Sequence, residues 1–259
     1  MKTYRLIFAL FSAAALSSCG QEGVQDITAP AIGAGIKFFN FGVNAPGVNF
    51  WGNSTKLTAI SSSSGTESTT GTNYGGAGNG GLYSVIAPGA YTFSGKIAAA
   101  TDNGVAVSNV TATLENGKYY SFYQSGFYNS TAKTVDAFIV EDAFPTTIDY
   151  SATNVRFVNA ISNANPMTLY AKNTTTGVEV PVGGEVAYKG AGAFTTMPPG
   201  FYDLSTRYTG SSTNVLTRPG VSFVAGRVYT ITARGDITVA PSTACGSSNK
   251  TCLDNTTNR

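Results

Sequence analysis

From residue 34 onward the chain alternates short apolar runs with short polar ones, and no run keeps a helical period. The apolar runs are rich in Val, Ile, Phe and Tyr, whereas Gly, Asn, Ser, Thr and Pro separate them. Strands favour β-branched and aromatic residues, and turns favour the residues that act as separators here. Where aromatic and polar residues alternate, as at Tyr91 and Phe93, we expect one buried strand face. The pattern therefore predicts an all-β fold.

Four sequence blocks occur twice in the same order, which predicts two homologous units of about one domain length each. Their offsets are 119, 120, 111 and 109 residues, so the first unit carries a longer loop between the second and third blocks. We place the units at residues 34–150 and 151–259. The matching blocks are Ile36–Asn40 with Val155–Asn159, Ala45–Phe50 with Asn165–Tyr170, Ala87–Phe93 with Pro198–Leu204, and Leu114–Tyr120 with Phe223–Tyr229.

The beginning of the chain has the plan of a secretory signal peptide. Lys2 and Arg5 precede an apolar stretch, residues 6–16, that is too short to span a bilayer. The following Leu-Ser-Ser-Cys-Gly, which ends in Cys19 and Gly20, resembles a bacterial lipobox. The resemblance implies cleavage after residue 18, a diacylglycerol on the Cys19 sulfur, and acylation of the new amine. The alternative is an ordinary signal peptide with a chance cysteine.

A lipid-anchored product would lie in the bacterial cell envelope. Residues 19–33 mix Gly, Pro and small polar residues, which predicts a flexible tether between the lipid and the folded part. By resemblance to lipoproteins of Gram-negative bacteria, the absence of Asp at Gly20 favours the outer membrane over the inner one. The membrane, reached through this anchor, is thus one expected partner.

Composition and charge exclude several function classes. The 259 residues include no His, which removes His-based triads and His-ligated metal sites. The net charge of +2 becomes zero once Lys2 and Arg5 leave with the signal peptide, so we expect no nucleic-acid binding. Residues 34–150 carry 5 basic and 7 acidic residues, and residues 151–259 carry 9 and 5. The excess of cations in the second unit suggests an anionic partner there.

Two tyrosines are candidates for structural roles. The spacing of Leu114, Gly117 and Tyr120 recurs at Phe223, Gly226 and Tyr229. It resembles a tyrosine corner, in which the Tyr hydroxyl bonds to backbone a few residues upstream. The alternative is a plain strand that contains a Tyr.

The four blocks behind a lipobox resemble a bacterial lipoprotein family labelled "domain of unknown function 4397", in two tandem copies over residues 34–259. The resemblance implies two immunoglobulin-like or transthyretin-like β-sandwich domains. It brings no catalytic residues. No cofactor or metal is predicted.

Two aromatic residues are candidate ligand contacts. Residues 61–81 are almost entirely Ser, Gly, Thr and Asn around an isolated Tyr74, which predicts a mobile surface loop. A sharper interpretation is a binding loop that presents Tyr74, near Trp51, to a sugar. Aromatic faces beside amides and hydroxyls suit sugar binding. Against this, Trp51 ends an alternating run and is typical of core or interdomain packing.

Three further motifs lie in or near the second unit. Cys245 and Cys252 form an even pair in an exported chain, which predicts a disulfide that staples a terminal hairpin. We interpret the tripeptide Arg-Gly-Asp at residues 234–236 as the end of a strand followed by a turn, and not as an adhesion motif. The adjacent acids Glu141 and Asp142 point to opposite faces of an extended chain, so they cannot share one substrate. We expect them to lie in a solvated linker.

The sequence therefore predicts a non-catalytic envelope lipoprotein that acts as a surface binding or adhesion module, with a glycan as a possible ligand. The alternative is a scaffold that faces the periplasm and binds an envelope protein. A hydrolase with carboxylates assembled in space is the least supported interpretation, and we expect no enzyme activity.

Overall fold

The computed structural model describes residues 33–58, 70–246 and 249–258. All of them belong to one compact unit, Ile32–Arg259. The predicted signal peptide, the lipidation site Cys19 and nearly all of the tether lie outside the described residues.

The described residues form strands and a single 3-10 helix, Gly78–Gly81, so the all-β prediction is confirmed. The first nine strands are β1 Ala34–Val43, β2 Val48–Gly52, β3 Thr55–Lys56, β4 Gly76–Ala77, β5 Ser84–Ile86, β6 Gly89–Ile97, β7 Ala106–Leu114, β8 Tyr119–Asn129 and β9 Thr134–Glu141. The later strands are β10 Thr153–Asn159, β11 Met167–Asn173, β12 Glu179–Val186, β13 Thr195–Met197, β14 Gly200–Tyr208, β15 Leu216–Phe223, β16 Val228–Arg234 and β17 Cys252–Thr257.

These strands form four sheets, and one pattern of strand order occurs twice. The first inner sheet runs β4-β1-β8-β9, with β5 also paired to β1, and the first outer sheet runs β3-β2-β6-β7. The second inner sheet runs β13-β10-β16-β17, and the second outer sheet runs β12-β11-β14-β15. Each inner sheet contains one parallel pair, β1 with β8 and β10 with β16, and every other pairing between strands is antiparallel. The later half of the chain therefore repeats the topology of the earlier half.

Three apolar clusters stack the sheets into four layers. The first lies between the first outer and first inner sheets and includes Phe38, Phe50, Phe93 and Phe122. The second fills the same position in the later half. The third joins the two inner sheets to each other through Phe39, Phe41, Tyr123, Phe138, Val158 and Ala160. The central strands of the inner sheets are thus covered on both faces, and the two halves pack directly against each other.

This layering explains why the central strands lack the alternation of burial typical of a sandwich. Every residue of β1, β10 and β16 is buried. Strands covered on both faces bury all their side chains, whatever their polarity. Lys37, Arg156 and Arg234 are consequently buried cations, each about 2% exposed.

Both tyrosines predicted to form corners make the same hydrogen bond. The Tyr120 hydroxyl accepts from the backbone N–H of Glu115, and the Tyr229 hydroxyl accepts from that of Val224, each at 3.1 Å. In each case the donor lies five residues upstream in the turn before the strand. This is the contact that the tyrosine-corner interpretation predicts.

Two more hydrogen bonds recur at equivalent positions. The Tyr91 hydroxyl donates to the carbonyl of Ala87 at 2.9 Å, and the Tyr202 hydroxyl donates to that of Pro198 at 2.7 Å. Asn40 and Asn159, the last residues of their matching blocks, each accept a backbone N–H from the residue two positions later. The side chains that fix the turns therefore repeat together with the strand order.

The structure overturns part of the mobile-loop prediction for residues 61–81. Residues 59–69 lie outside the described residues, whereas residues 70–81 form β4 and the 3-10 helix against β1. Backbone polar groups order this segment: the Asn40 amide donates to the carbonyl of Thr72, and Gly75 N–H donates to the carbonyl of Asn40, both at 2.8 Å. Composition misled here because this order depends on hydrogen bonds to β1 and not on burial of its own apolar side chains.

Candidate functional site

The outward surface of the first outer sheet carries the only Trp of the sequence. Phe50 and Phe93 point into the first core, so the alternation of a strand turns Trp51 and Ser94 to the opposite side. Trp51 lies opposite Lys56 on β3 and Ser94 on β6, and the neighbouring pair is Asn49 with Lys96. We name this surface the tryptophan face; its residues are Asn49, Trp51, Lys56, Thr92, Ser94, Lys96, Asn109, Thr111 and Thr113.

Two ammonium groups lie against the indole of Trp51. The Lys96 Nζ is 4.2 Å from the ring centroid and the Lys56 Nζ is 5.1 Å from it. Both distances are within the range of a cation–π interaction. The described residues of β2, β3, β6 and β7 include no Asp or Glu. Trp51 itself is half-buried and lies outside the three apolar clusters, which makes the core-packing interpretation wrong.

Hydrogen-bonding groups lie on the same surface as the ring. Thr92 lies opposite Thr111, and both line a shallow depression of about 360 Å³ together with Asn53 and Thr113. Asn49 is 4% exposed, and its Oδ1 accepts no hydrogen bond from the described residues. The face therefore combines an aromatic ring, two cations, and several hydroxyls and amides.

Tyr74 occupies a different site, between the two inner sheets. Its ring lies 5.1 Å from the guanidinium of Arg234, whose other contacts include the Phe41 ring at 5.1 Å. Arg234 also donates to the carboxylate of Asp254 at 2.8 Å and to the carbonyl of Gly246 at 3.0 Å. Burial raises the pKa of the Tyr74 hydroxyl, and the charge of Arg234 partly offsets that rise. The structure does not join Tyr74 and Trp51 into one site.

A cleft of about 470 Å³ lies over this contact, with Tyr74, Arg234, Cys245 and Asp254 among its lining residues. Arg234 is also the first residue of the Arg-Gly-Asp tripeptide. At 2% exposure its side chain is not available to a receptor, as the strand-end interpretation requires.

The paired acids Glu141 and Asp142 are the clearest error of sequence reasoning. Glu141 is exposed and pairs with Lys118, whereas Asp142 is buried at the boundary of the inner sheets. The carboxylate of Asp142 accepts from the Arg156 guanidinium, from the Tyr83 hydroxyl at 2.6 Å and from the Ser121 hydroxyl at 2.8 Å. The expected solvated linker is therefore wrong for Asp142, because the second inner sheet covers it.

Lys37 lies close to this network. Its Nζ donates to the carbonyl of Thr257 and to the side chain of Asn258, both at 3.3 Å, and sits 4.2 Å from the Tyr83 ring. Burial lowers the pKa of Lys37 to about 8, although the charge of Asp142 opposes the change. One sequence signal was available: Lys37 and Arg156 hold equivalent positions in the repeated blocks, each a cation inside an apolar run.

The predicted disulfide is confirmed. Cys245 and Cys252 are bonded, with their Cα atoms 5.4 Å apart. Cys252 begins β17, which pairs antiparallel with β16, so the bridge ties the β16–β17 connection to the terminal strand. The other half of the chain has no counterpart, since it contains no cysteine between residues 34 and 150.

Four cations of the later half are engaged by acidic side chains. Arg156 and Arg234 are buried and paired with carboxylates, and Arg207 forms a bidentate pair with Glu179 at 2.7 and 2.8 Å. Lys189 pairs with Asp136 at 2.7 Å. Lys96, whose Nζ lies 4.2 Å from the Trp51 ring, is the candidate cation for an anionic ligand in the earlier half.

Two kinds of feature are absent from the described ranges. No group of three or more Cys, Asp or Glu side chains is arranged to hold a metal ion. None of the helices in these ranges has the length and apolarity needed to cross a bilayer.

The fold and the tryptophan face define a multi-layer β-sandwich protein with an open aromatic surface. Residues 153–246, which run from the first residue of β10 into the β16–β17 connection, match the family described as Domain of unknown function (DUF4397). The match covers one copy, in the later half of the chain. No curated protein sequence matches the chain.

Three solved structures have low similarity to this chain. The Bacillus anthracis TIE protein is 14% identical over 79% of this chain and 34% of its own, with a TM-score of 0.25. A leucine-rich repeat protein from Bacteroides thetaiotaomicron is 12% identical over 78% and 26%, with a TM-score of 0.20. A Bacteroides ovatus protein titled "putative cell adhesion protein" is 11% identical over 88% and 96%, with a TM-score of 0.25.

The chain spans about a third and about a quarter of the first two of these structures. At such TM-scores none of the three similarities carries an argument about function.

Proposed function

We propose that the protein is a non-catalytic, lipid-anchored binding module of the bacterial envelope that captures acidic glycans on the tryptophan face. The observation that carries this proposal is the position of Trp51. Its indole lies on the outward surface of the first outer sheet, between two ammonium groups and among hydroxyl and amide groups.

Each component of the face suits a sugar acid. An aromatic ring offers a flat apolar surface to the C–H face of a pyranose ring. Lysine side chains are long and flexible, so the ammonium group of Lys96 can move from the indole to a uronate carboxylate. Thr92, Thr111 and Asn109 supply donors and acceptors for sugar hydroxyls.

The envelope location rests on the lipobox at residues 16–20. Each buried lipid CH₂ group contributes about 0.8 kcal/mol, so several acyl chains hold a protein on a membrane durably. Cys19→Ala should abolish metabolic labelling with palmitate, and the parent chain should label. A variant that still labels would contradict the proposed anchor.

We further propose that residues 34–150 and 151–259 are two copies of one domain, although only the later copy matches the family. The support is the repeated strand order, the repeated Tyr120 and Tyr229 corners, and the repeated Tyr91 and Tyr202 bonds. Because the inner sheets of both copies are covered, we expect residues 33–150 made alone to aggregate.

Affinity electrophoresis of the full chain tests the glycan proposal, with polygalacturonate and the neutral glucan dextran as probes. Polygalacturonate should retard the parent chain, and dextran should not. Trp51→Ala and Lys96→Ala should each weaken retardation at least about tenfold, since each removes one of few direct contacts. Tyr150→Ala is the matched control, because that aromatic residue is exposed and lies away from the tryptophan face.

If both variants are retarded as strongly as the parent chain, the tryptophan face is not the glycan-binding site. No retardation of the parent chain by any acidic polysaccharide would favour the alternative, a periplasm-facing scaffold that binds an envelope protein. In that case crosslinking in cells should capture one defined protein.

A further inference from the structure

Exposed apolar side chains are concentrated at one end of the molecule. Eight large apolar side chains stand exposed among the described residues, and five of them lie at the end where β1 begins. These five, which we name the apolar end, are Val85, Tyr150, Val178, Phe201 and Val224. Val105 and Phe127 lie at the opposite end, near the end of β6 and the end of β8. Leu82 precedes β5, which runs antiparallel to β1, and therefore lies level with the middle of β1.

Strand register fixes the position of the apolar end in the earlier half. Val85 lies opposite Gly35, the second residue of β1. It also approaches Gly33 so closely that a methyl group on Gly33 would lie 2.7 Å from the Val85 Cγ1. This exposed side chain therefore adjoins the point where the chain enters the folded unit.

The remaining four side chains lie at one end of the later half; Tyr150 reaches it from the segment between β9 and β10. Gly200 lies opposite Phe223, which brings Phe201 and Val224 to one corner of the second outer sheet. The ring of Tyr150 lies against Gly226, in the same turn as Val224. Val178 lies near the same corner. Its carbonyl accepts a hydrogen bond from the backbone N–H of Asn173, and Asn173 lies opposite Tyr202 on β14.

Contacts between the inner sheets bring these two groups to the same end. Lys37, near the beginning of β1, donates to the carbonyl of Thr257, which pairs with the beginning of β16. Arg156, near the beginning of β10, donates to the carbonyl of Glu141, which pairs with the beginning of β8. The four strands therefore begin at one end of the stack, beside Gly33.

We propose that the apolar end rests on the surface of the lipid bilayer that carries the anchor. This inference rests on the proposed lipid anchor at Cys19. Gly33 lies fourteen residues after Cys19, a segment that reaches about 50 Å when fully extended. The composition of this segment predicts a flexible chain, and a flexible chain of that length has an end-to-end distance of about 20 Å, which would hold this end near the membrane at high effective concentration.

The chemistry of the apolar end suits a membrane surface better than water. Tyr150 is the most exposed of the set, and Tyr is enriched at the level of lipid headgroups. The neighbouring Lys118 is paired with Glu115 and Glu141, which lowers the cost of bringing these charges towards lipid. The strands then stand roughly along the membrane normal. The tryptophan face, on the side of the stack, remains open to a glycan.

Quenching by brominated lipid tests the proposal on the lipidated full chain. Two variants are compared in a Trp51→Phe background, so that each protein has one Trp. Phe201→Trp places it at the apolar end, and Phe127→Trp is the matched control at the opposite end; these phenylalanines are 59% and 45% exposed. In phosphatidylcholine vesicles with dibrominated acyl chains, the first variant should be quenched at least about twofold more than the second, since bromine quenches only groups near the acyl chains.

Two results would overturn the proposal, and they are distinguishable. Equal quenching of both variants, in protein that carries palmitate label and floats with the vesicles, would overturn the inference and leave the anchor standing. Absence of label and of flotation would overturn the anchor and the inference together.

Discussion

The guanidinium of Arg156 donates to the carboxylate of Asp142 at the boundary of the two inner sheets. Asp142 follows the last strand of the earlier half, and Arg156 lies in the first strand of the later half. Arg156 also donates to Thr230 at 3.0 Å and to the carbonyl of Glu141 at 2.9 Å, so its nitrogen atoms are all occupied. The ion pair therefore links the two halves, because the carboxylate comes from the earlier half and the guanidinium that neutralises it comes from the later half.

Removing the carboxylate should be costly. Asp142→Ala leaves a buried arginine unpaired, which is typically destabilising by about 3–5 kcal/mol. Urea unfolding followed by fluorescence measures the change. Glu141→Ala is the matched control, because the adjacent acid is exposed and its pair with Lys118 contributes little. Equal effects of the two substitutions would contradict the buried role of Asp142.

Stability should rise as the pH increases from about 8 to 10. Burial lowers the pKa of Lys37 from 10.5 to about 8, so in this window the unfolded chain binds more protons than the folded one. The free energy of unfolding then increases with pH. Above pH 10 the trend should reverse, because burial raises the pKa of Tyr123 to about 12 and also raises that of Tyr83.

The urea midpoint, measured from pH 7 to 11, gives this profile. Lys37→Met removes the titrating group and keeps the length of the side chain, so its profile should lack the rise between pH 8 and 10. A rise that persists in this variant would assign the effect to another group.

Reduction of the Cys245–Cys252 bond should lower the free energy of unfolding by about 2.5 kcal/mol, the chain-entropy value for a loop of about eight residues. The Cys245→Ser/Cys252→Ser variant should show the same loss without reductant. Differential scanning calorimetry with and without reductant measures both. If reduction leaves the melting temperature unchanged, the prediction is wrong and the bridge does not stabilise the folded state.

The two tyrosine corners should contribute equally to the free energy of unfolding. Tyr120→Phe and Tyr229→Phe each remove the acceptor of one partly buried backbone N–H, which should cost about 1 kcal/mol. Tyr150→Phe, at an exposed ring, is the control and should cost nothing measurable. A cost at one corner only would indicate that the repeated turns do not share their energetics.

Local patterns predicted much of the fold. Alternating apolar residues indicate strands, and the repeat at an offset of about 110–120 residues indicates two equivalent units, so the repeated strand order follows from the sequence. The disulfide could be predicted because Cys245 and Cys252 are the only cysteines in the sequence of the later half. These features depend on residues that lie close together in the chain or recur at a fixed spacing.

The contacts between the two halves could not be predicted from such local patterns. Lys37 and Arg156 look like surface cations within their own strands, and only the opposite sheet makes them interior residues. Tyr74 meets Arg234, far along the chain, so loop composition could not place it. For Trp51 the alternation gives the side of the sheet on which the ring lies. It does not tell whether another layer covers that side.

The parallel pairing of β1 with β8 has a consequence for biosynthesis. A chain made from its amino terminus presents β1 first, yet Gly35 finds its neighbour Tyr119 only after six further strands have appeared. The exposed face of that sheet then awaits β10. Such long sequence separations slow folding and lengthen the life of open apolar edges. We therefore expect the nascent chain to depend on holding chaperones more strongly than a sandwich built from consecutive hairpins.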